Sequence, residues 1–86
     1  MANTLRIRRA AKRKLQSLPA RDRYRITDAI AMLGNNPDDD SLDNRQLSGS
    51  ELWRPRIGRW RVIYDRSDEL RIISVEKIGQ RGDIYK

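Results

Sequence analysis

The sequence predicts an α+β domain in which an N-terminal strand and a two-helix hairpin pack on a small antiparallel sheet, in the order β-α-α-β-β-β. Two observations favour this class: apolar residues recur at helical spacing over residues 9–33, and they alternate with polar residues from position 53 onward. Helices that precede a run of strands are typical of α+β folds. At 86 residues the chain is long enough for one small domain, residues 1–86, with a thin core.

The first predicted elements are a short strand and a helix. Leu5 and Ile7 alternate with polar residues over positions 4–8, which is typical of a strand with two inward-facing side chains. Over residues 9–18 the apolar positions fall at helical spacing, and Lys and Arg occupy the opposite side. This helix is expected to end before Pro19, because proline disfavours a helical conformation in the residue that precedes it.

A second helix is expected next, capped by Asp22 or by the loop before it. Its apolar residues step by four and then three positions, at Ile26, Ile30 and Leu33. Residues 34–37, Gly-Asn-Asn-Pro, are expected to end it. The three aspartates at 38–40 are interpreted as a solvated loop rather than a metal site, because adjacent residues point in different directions and lack the spacing of a calcium loop.

From residue 53 the apolar period changes to two, which predicts three strands joined by short turns. Residues 53–57 form the first of these strands, and Gly58 permits a tight turn before the next, over residues 60–64. Residues 70–77 supply a third strand that is rich in β-branched side chains. Residues 80–86 are expected to form a turn or a short tail.

The alternation along these strands predicts a cationic sheet face. Arg54 and Arg56 lie two residues apart and opposite in parity to Trp53, and Arg61 joins them if Trp60 packs on the helices. With the helices on the other side, this face would be open to a ligand. Alternatively, these arginines form a solvated face that only keeps the protein soluble. Core positions rather than base stacking are expected for the aromatic residues of these strands, Trp53, Trp60 and Tyr64.

The composition favours a polyanionic partner. Nineteen Lys plus Arg against twelve Asp plus Glu give a net charge of +7, and fifteen of these cations are Arg, whose forked guanidinium matches phosphate. The chain has no Cys and no His, which excludes a disulfide, a thiol nucleophile, an imidazole base and a Cys/His zinc site. We expect no metal and no cofactor. The lack of a long apolar run or a secretory signal predicts a cytoplasmic protein without membrane contact.

Two segments resemble the signature of RelE-type toxins of the RelE/ParE toxin–antitoxin superfamily. Residues 47–64 contain Gly-Arg-Trp-Arg-Val-Ile-Tyr, and residues 73–85 end in Arg-x-Asp-x-Tyr. The resemblance spans nearly the whole chain and implies a RelE-like fold. It also implies a toxin that enters the ribosomal A site and cleaves mRNA there by attack of the RNA 2′-hydroxyl, which inhibits translation. A cognate antitoxin would neutralise it.

The resemblance further implies roles for individual residues. Arg54, Arg56, Arg61 and Arg81 match its basic positions and are expected to clamp phosphate, since a guanidinium with a pKa above about 12 is a poor base. Tyr85 is expected to stack on a base or to pass a proton, and the general base stays unassigned. Neighbouring RNA contacts are expected from Arg59, Lys77 and Gln80.

Two positions depart from the family pattern, and two other functions stay open. Relatives often carry His where Gln80 stands, and Pro55 replaces a residue that would supply an amide N–H. One alternative is a ParE-like poison that binds DNA gyrase and would not need Tyr85. The other is an inactive relative kept as a basic RNA-binding module. Under both alternatives mRNA stays intact.

Overall fold

The computed structural model describes residues 3–47, 49 and 51–80, and it shows two helices packed on one five-stranded sheet. In chain order the elements are β1 (Thr4–Ile7), α1 (Arg9–Ser17), α2 (Ala20–Asn35), β2 (Asp43–Gln46), β3 (Trp53–Ile57), β4 (Trp60–Ser67) and β5 (Ile72–Gln80). Across the sheet the strands lie in the order β1-β5-β4-β3-β2. The α+β class predicted from the sequence is confirmed.

The sheet is mixed, and it contains one strand more than the sequence predicts. Strand β1 runs parallel to β5, with Leu5 opposite Ile73 and Ile7 opposite Val75, whereas the other neighbouring strands are antiparallel. Strand β2 has the sequence Asp-Asn-Arg-Gln, which lacks apolar alternation. Because β2 pairs at the edge of the sheet through backbone hydrogen bonds to β3, its formation depends on the neighbouring strand rather than on a local pattern.

The two helices form the predicted hairpin, with a sharp break between them. Helix α1 ends at Ser17 because Leu18 takes an extended backbone before Pro19. Pro19 is the N-cap of α2 and makes no side-chain capping hydrogen bond, and Asp22 lies in the first turn. Of the two expected caps, Asp22 is wrong because the helix begins earlier, and the N-cap comes from the preceding loop. No helix in the described part of the chain is both long and apolar enough to cross a membrane.

The hydrophobic core lies between the helices and the face of the sheet that carries the strand aromatics. Trp60 is 5% exposed and Tyr64 is fully buried, while Trp53 is half-buried and packs against the core. The core role predicted for the three aromatics is confirmed, with Trp53 at the border. The remaining buried members of the core are Ala11, Leu18, Ile26, Ile30, Leu33, Val62, Ile73, Val75 and Ile78.

Pro55 does not interrupt β3. The strand pairs with β4 on both sides of it, with Trp53 opposite Tyr64 and Arg56 opposite Arg61. Pro55 itself is buried and lies opposite Asn44 of β2. The strand therefore continues past Pro55 in its pairing with β2, whereas its register with β4 has no pair at Arg54 or Pro55. This gap agrees with the ladder donor that proline lacks.

We expect Trp60→Ala to lower the free energy of unfolding by about 3–5 kcal/mol, because it removes a large buried ring from a thin core. Urea unfolding monitored by circular dichroism measures this loss. Tyr24→Ala is the matched control, since Tyr24 is an aromatic residue of α2 that is 67% exposed, and we expect a change of about 0.5 kcal/mol or less. Equal losses in the two variants would contradict the assigned core.

Candidate nucleic-acid interface

The pairing of β3 with β4 places the predicted arginines on one side of the sheet. Arg56 lies opposite Arg61 and Ile57 opposite Trp60, and side chains directly opposite one another share a face. Trp60 packs in the core, so the arginines face away from the helices. We call this surface the arginine face. Its cationic residues are Arg45, Arg54, Arg56, Arg61 and Lys77.

Arg61 lies on the arginine face but is not exposed there. Only 8% of the residue is accessible, and its Nη1 donates hydrogen bonds to the carbonyl oxygens of Gly58 at 3.2 Å and Trp60 at 3.0 Å. The exposure expected from strand parity is therefore wrong, although the face is right. The guanidinium folds back onto the β3–β4 turn, where backbone carbonyl groups accept its hydrogen bonds. Arg61 therefore stabilises the β3–β4 turn, although its side chain lies on the arginine face.

Arg56 is held by a carboxylate that the sequence reasoning missed. Its Nε donates a hydrogen bond to Oδ2 of Asp43 at 2.6 Å, and both side chains are about half exposed. The hydrogen bond from Arg56 holds the pKa of Asp43 below its usual value, and the positive charges of Arg45 and Arg54 act in the same direction. Asp43 belongs to the unpredicted strand β2, so only the register of β2 with β3 could reveal this pair.

Arg54 differs from the other arginines of this face in having donors that are both buried and without a partner among the described residues. Its Nε and Nη1 are buried and have no hydrogen-bond partner among the described residues. Arg45 lies directly opposite on β2 and is exposed. A buried polar group without a partner is costly, and a guanidinium carries a full charge as well. An anion at this position would satisfy both requirements.

The other predicted site residues are divided between the two sides of the sheet. Lys77 lies opposite Ile63 on the arginine face and is exposed. Arg59, in the β3–β4 turn, has its Nη2 at 3.7 Å from Oδ2 of Asp22 in α2, so it lies on the helix side. Gln80 lies opposite Trp60 and therefore also faces the helix side. The two remaining candidates, Arg81 and Tyr85, lie outside the described residues.

The aspartate loop between α2 and β2 is bound to the sheet by Arg66. Nη1 and Nη2 of Arg66 donate to the two carboxylate oxygens of Asp38 at 3.0 and 3.3 Å, and its Nε donates to Asp68 at 2.8 Å. The guanidinium also lies 5.4 Å from the ring centroid of Trp53. The hydrogen bond from Arg66 lowers the pKa of Asp38. Asp39 instead accepts hydrogen bonds from Ser41, so these aspartates serve the loop structure.

Tyr64 holds the loop between α2 and β2 from the core side, through Asn44. Nδ2 of Asn44 lies within hydrogen-bond distance of the Tyr64 hydroxyl, at 2.5 Å, and also donates to the carbonyl oxygen of Pro37 at 3.0 Å. Burial raises the pKa of the Tyr64 phenol. This phenol is therefore a structural group in the core and not a proton carrier of the arginine face.

Comparison with solved structures identifies the class of protein that has this fold. A chain in the RelE–RelB complex of Pyrococcus horikoshii OT3 matches with a TM-score of 0.82 and 29% identity, over 96% of this chain and 99% of that one. The intact RelBE complex of Escherichia coli gives a TM-score of 0.77 at 17% identity, over 93% and 98% of the two chains. At that identity the likeness supports the fold alone. The fold is that of RelE-type toxins.

The family follows from the sequence comparisons. A family model for the ParE toxin of the type II toxin–antitoxin system parDE matches residues 5–85. A curated protein of Methanocaldococcus jannaschii, classed as toxin RelE1, is 33% identical over 88 residues that span 100% of this chain and 98% of the relative. The chain belongs to the ParE toxin family, and it is a type II toxin of the RelE/ParE superfamily. The resemblance noted in its motifs is confirmed.

We expect Arg61→Gln to lower the free energy of unfolding by about 1–3 kcal/mol, because two carbonyl groups at the turn lose a charged donor. Arg45→Gln on the same face is the matched control, since Arg45 is exposed, and it should change stability by about 0.5 kcal/mol or less. Urea unfolding compares the two variants. Full stability of Arg61→Gln would show that the guanidinium does not hold the turn.

The ion pair between Asp38 and Arg66 predicts a loss of stability in acid. Because the folded-state pKa of Asp38 lies below its usual 3.8, this pair stabilises the fold above that pH, and the contribution is lost as pH falls through the folded-state pKa. Asp38→Asn should therefore reduce the difference in urea midpoint between about pH 6 and about pH 3. Asp40→Asn is the control, since Asp40 makes no ion pair with the described residues. Equal effects of both substitutions would contradict this role.

Proposed function

We propose that this toxin is a ribosome-dependent endoribonuclease that cleaves mRNA in the A site and inhibits translation in the cytoplasm. The observation that carries the proposal is the pair of buried, unpartnered N–H donors of Arg54 on the arginine face. Charge-assisted hydrogen bonds from a guanidinium to phosphate are strong and directional. A phosphodiester seated between Arg54 and Arg56 would supply the missing acceptors.

In the proposed reaction, the 2′-hydroxyl of one nucleotide attacks the adjacent phosphorus, and the bond from phosphorus to the 5′-oxygen of the next nucleotide breaks. The 2′-hydroxyl proton leaves to a base, and the departing 5′-oxygen takes a proton from an acid. Arg54 is suited to stabilise the extra negative charge on the phosphoryl oxygens. Arg56 is suited to the same task in the orientation that Asp43 fixes. The proposed reaction uses neither a metal nor a cofactor.

The proton transfers are the weak part of this catalytic arrangement. Arginine is a poor base at neutral pH, and the general base is unassigned. Arg81 and Tyr85 remain proposed members of the site, with Tyr85 able to stack on a base or to pass a proton. Alignment of the reacting atoms can supply a large part of a rate enhancement. Dependence on a ribosome that fixes the mRNA conformation is consistent with a site that has few proton carriers.

We also propose a cognate antitoxin as the partner that neutralises this toxin. The similar chains of Pyrococcus horikoshii and Escherichia coli are named as parts of RelE–RelB and RelBE complexes. An acidic segment would suit the exposed cations of this chain, because complementary charge steers association and favours the correct partner. Neutralisation should cover or distort the arginine face.

A gyrase poison is the competing candidate, because the matching family model describes the ParE toxin. A basic RNA-binding relative without activity is the other. Under both, programmed ribosomes would carry intact mRNA in the presence of the protein. A gyrase poison would in addition produce gyrase-dependent DNA breaks, whereas an inactive binding module would produce neither kind of damage.

The decisive experiment is a primer-extension toe-print on programmed ribosomes with purified toxin. We expect a new mRNA 3′ end within the A-site codon, and we expect Arg54→Gln to slow its appearance by about 10²–10³-fold, because one donor to the transition state is lost. Arg23→Gln is the charge-matched control, since Arg23 lies on α2 and donates to the Leu18 carbonyl oxygen, and it should cleave at the wild-type rate. Intact mRNA with the wild-type toxin would contradict the proposal.

A further inference from the structure

A second cationic site lies at the start of α2, on the helix side of the β3–β4 turn. It is a cavity of about 490 Å³ lined by Arg21, Asp22, Arg25, Arg59 and Trp60. Three of these residues are cationic and one is anionic. Arg21, Asp22 and Arg25 belong to the first two turns of α2, whereas Arg59 lies in the β3–β4 turn. The cavity is therefore separated from the arginine face by the sheet.

The backbone at this end of α2 is suited to an anion. The first N–H groups of a helix have no partner within the helix, and the helix dipole adds partial positive charge there. Pro19 at the N-cap makes no side-chain hydrogen bond. Asp22 is the acidic residue of the first turn, so its carboxylate competes with a ligand for this end.

The indole of Trp60 provides an independent argument for an anionic ligand at this cavity. Trp60 is 5% exposed, and its Nε1 is buried without a hydrogen-bond partner among the described residues. The ring also has two cations nearby, with Lys14 Nζ at 5.9 Å and Arg59 Cζ at 5.8 Å from its centroid. A buried donor at a cationic cavity would be satisfied by an anionic oxygen.

The arginines of this cavity are available for such a ligand. Arg21 and Arg25 are exposed and make no ion pair with the described residues. Arg59 is 70% exposed at the side chain, and its contact with Asp22 is long, at 3.7 Å. The Asp22 side chain is only 16% exposed, but the contact is weak because 3.7 Å is longer than a hydrogen bond. A doubly hydrogen-bonded phosphate can therefore displace it.

The β3–β4 turn joins this cavity to the arginine face. From one side, Arg61 donates to the Gly58 carbonyl oxygen. From the other side the Arg25 guanidinium lies so close to Gly58 that a Cβ there would be 3.3 Å from its Nη1. Gly58 has a φ of +61°, which suits glycine in a tight turn. The backbone of one nucleic-acid strand could therefore pass around this turn from the arginine face to the cavity at the start of α2.

We propose that the cavity at the start of α2 binds a backbone phosphate of RNA, as a second contact that holds the strand without taking part in cleavage. This inference rests on the proposed function, in which RNA is the substrate. The ligand atoms are phosphoryl oxygens, which accept from Arg21, Arg25, Arg59 and the Trp60 indole. Arg59 contacts RNA in this site and not beside Arg54.

Binding of a 12-nucleotide RNA with 2′-O-methyl groups, which cannot be cleaved, tests the site by fluorescence anisotropy over a range of salt concentrations. The double variant Arg25→Gln/Arg59→Gln should bind more weakly, with a salt slope lower by about 0.7 for the lost phosphate contact. Arg23→Gln/Arg71→Gln removes the same charge from residues outside the cavity, and it should keep the wild-type slope. Equal slopes in the two double variants would overturn the proposal.

The indole ¹H–¹⁵N resonance of Trp60 supplies a local reading in the same titration. RNA should shift it saturably in the wild type but not in Arg25→Gln/Arg59→Gln, and Trp53→Phe assigns the signal. A shift with inorganic phosphate but not with RNA would overturn the choice of RNA, as would tighter binding of a DNA strand of the same sequence. Arg54→Gln, measured in parallel, reports on the arginine face alone, so failure of one site is distinguishable from failure of the other.

Discussion

The register between β3 and β4 is the constraint on which the rest of the structure depends. With Ile57 opposite Trp60 and Arg56 opposite Arg61, the aromatics of β4 enter the core, and Arg54, Arg56 and Arg61 turn away from the helices. A slip of one residue would exchange the two sets of side chains. The glycine turn sets this register, and Arg61 holds it from the arginine face. The β3–β4 hairpin therefore determines both the packing of the core and the position of the arginines on the arginine face.

Arg54, Arg56 and Arg61 of the arginine face have the same chemistry but different neighbours. These neighbours determine which hydrogen bonds each guanidinium makes. Arg61 donates hydrogen bonds to backbone carbonyl oxygens, and Arg56 donates one to Asp43. Arg54 has buried donors without a partner among the described residues. A guanidinium already fixed by neighbours loses little freedom when it meets a phosphate. An unpartnered guanidinium gains most from the same contact, because its desolvation has already been incurred.

Acidic side chains reduce the positive charge of the surface at particular places. Asp43 lies within the arginine face, Asp22 lies at the start of α2, and Asp38 is occupied by Arg66. Each carboxylate pairs with a particular arginine, so the net charge of +7 is not spread evenly over the surface. The cations without such partners, among them Arg21 and Arg25, are the ones left for a polyanion.

The sequence by itself determined the helix hairpin, the strand alternation after residue 53 and the side of the sheet on which Arg54, Arg56 and Arg61 lie, because each follows from a local period of 3.6 or 2. Tertiary structure decided the parallel pairing of β1 with β5 and the formation of β2, since neither depends on local alternation. It also buried Arg61, turned Arg59 toward α2 and brought Asp43 to Arg56. These outcomes depend on which backbone or carboxylate oxygens the fold brings within reach of a long side chain, and a sequence pattern carries no information about that.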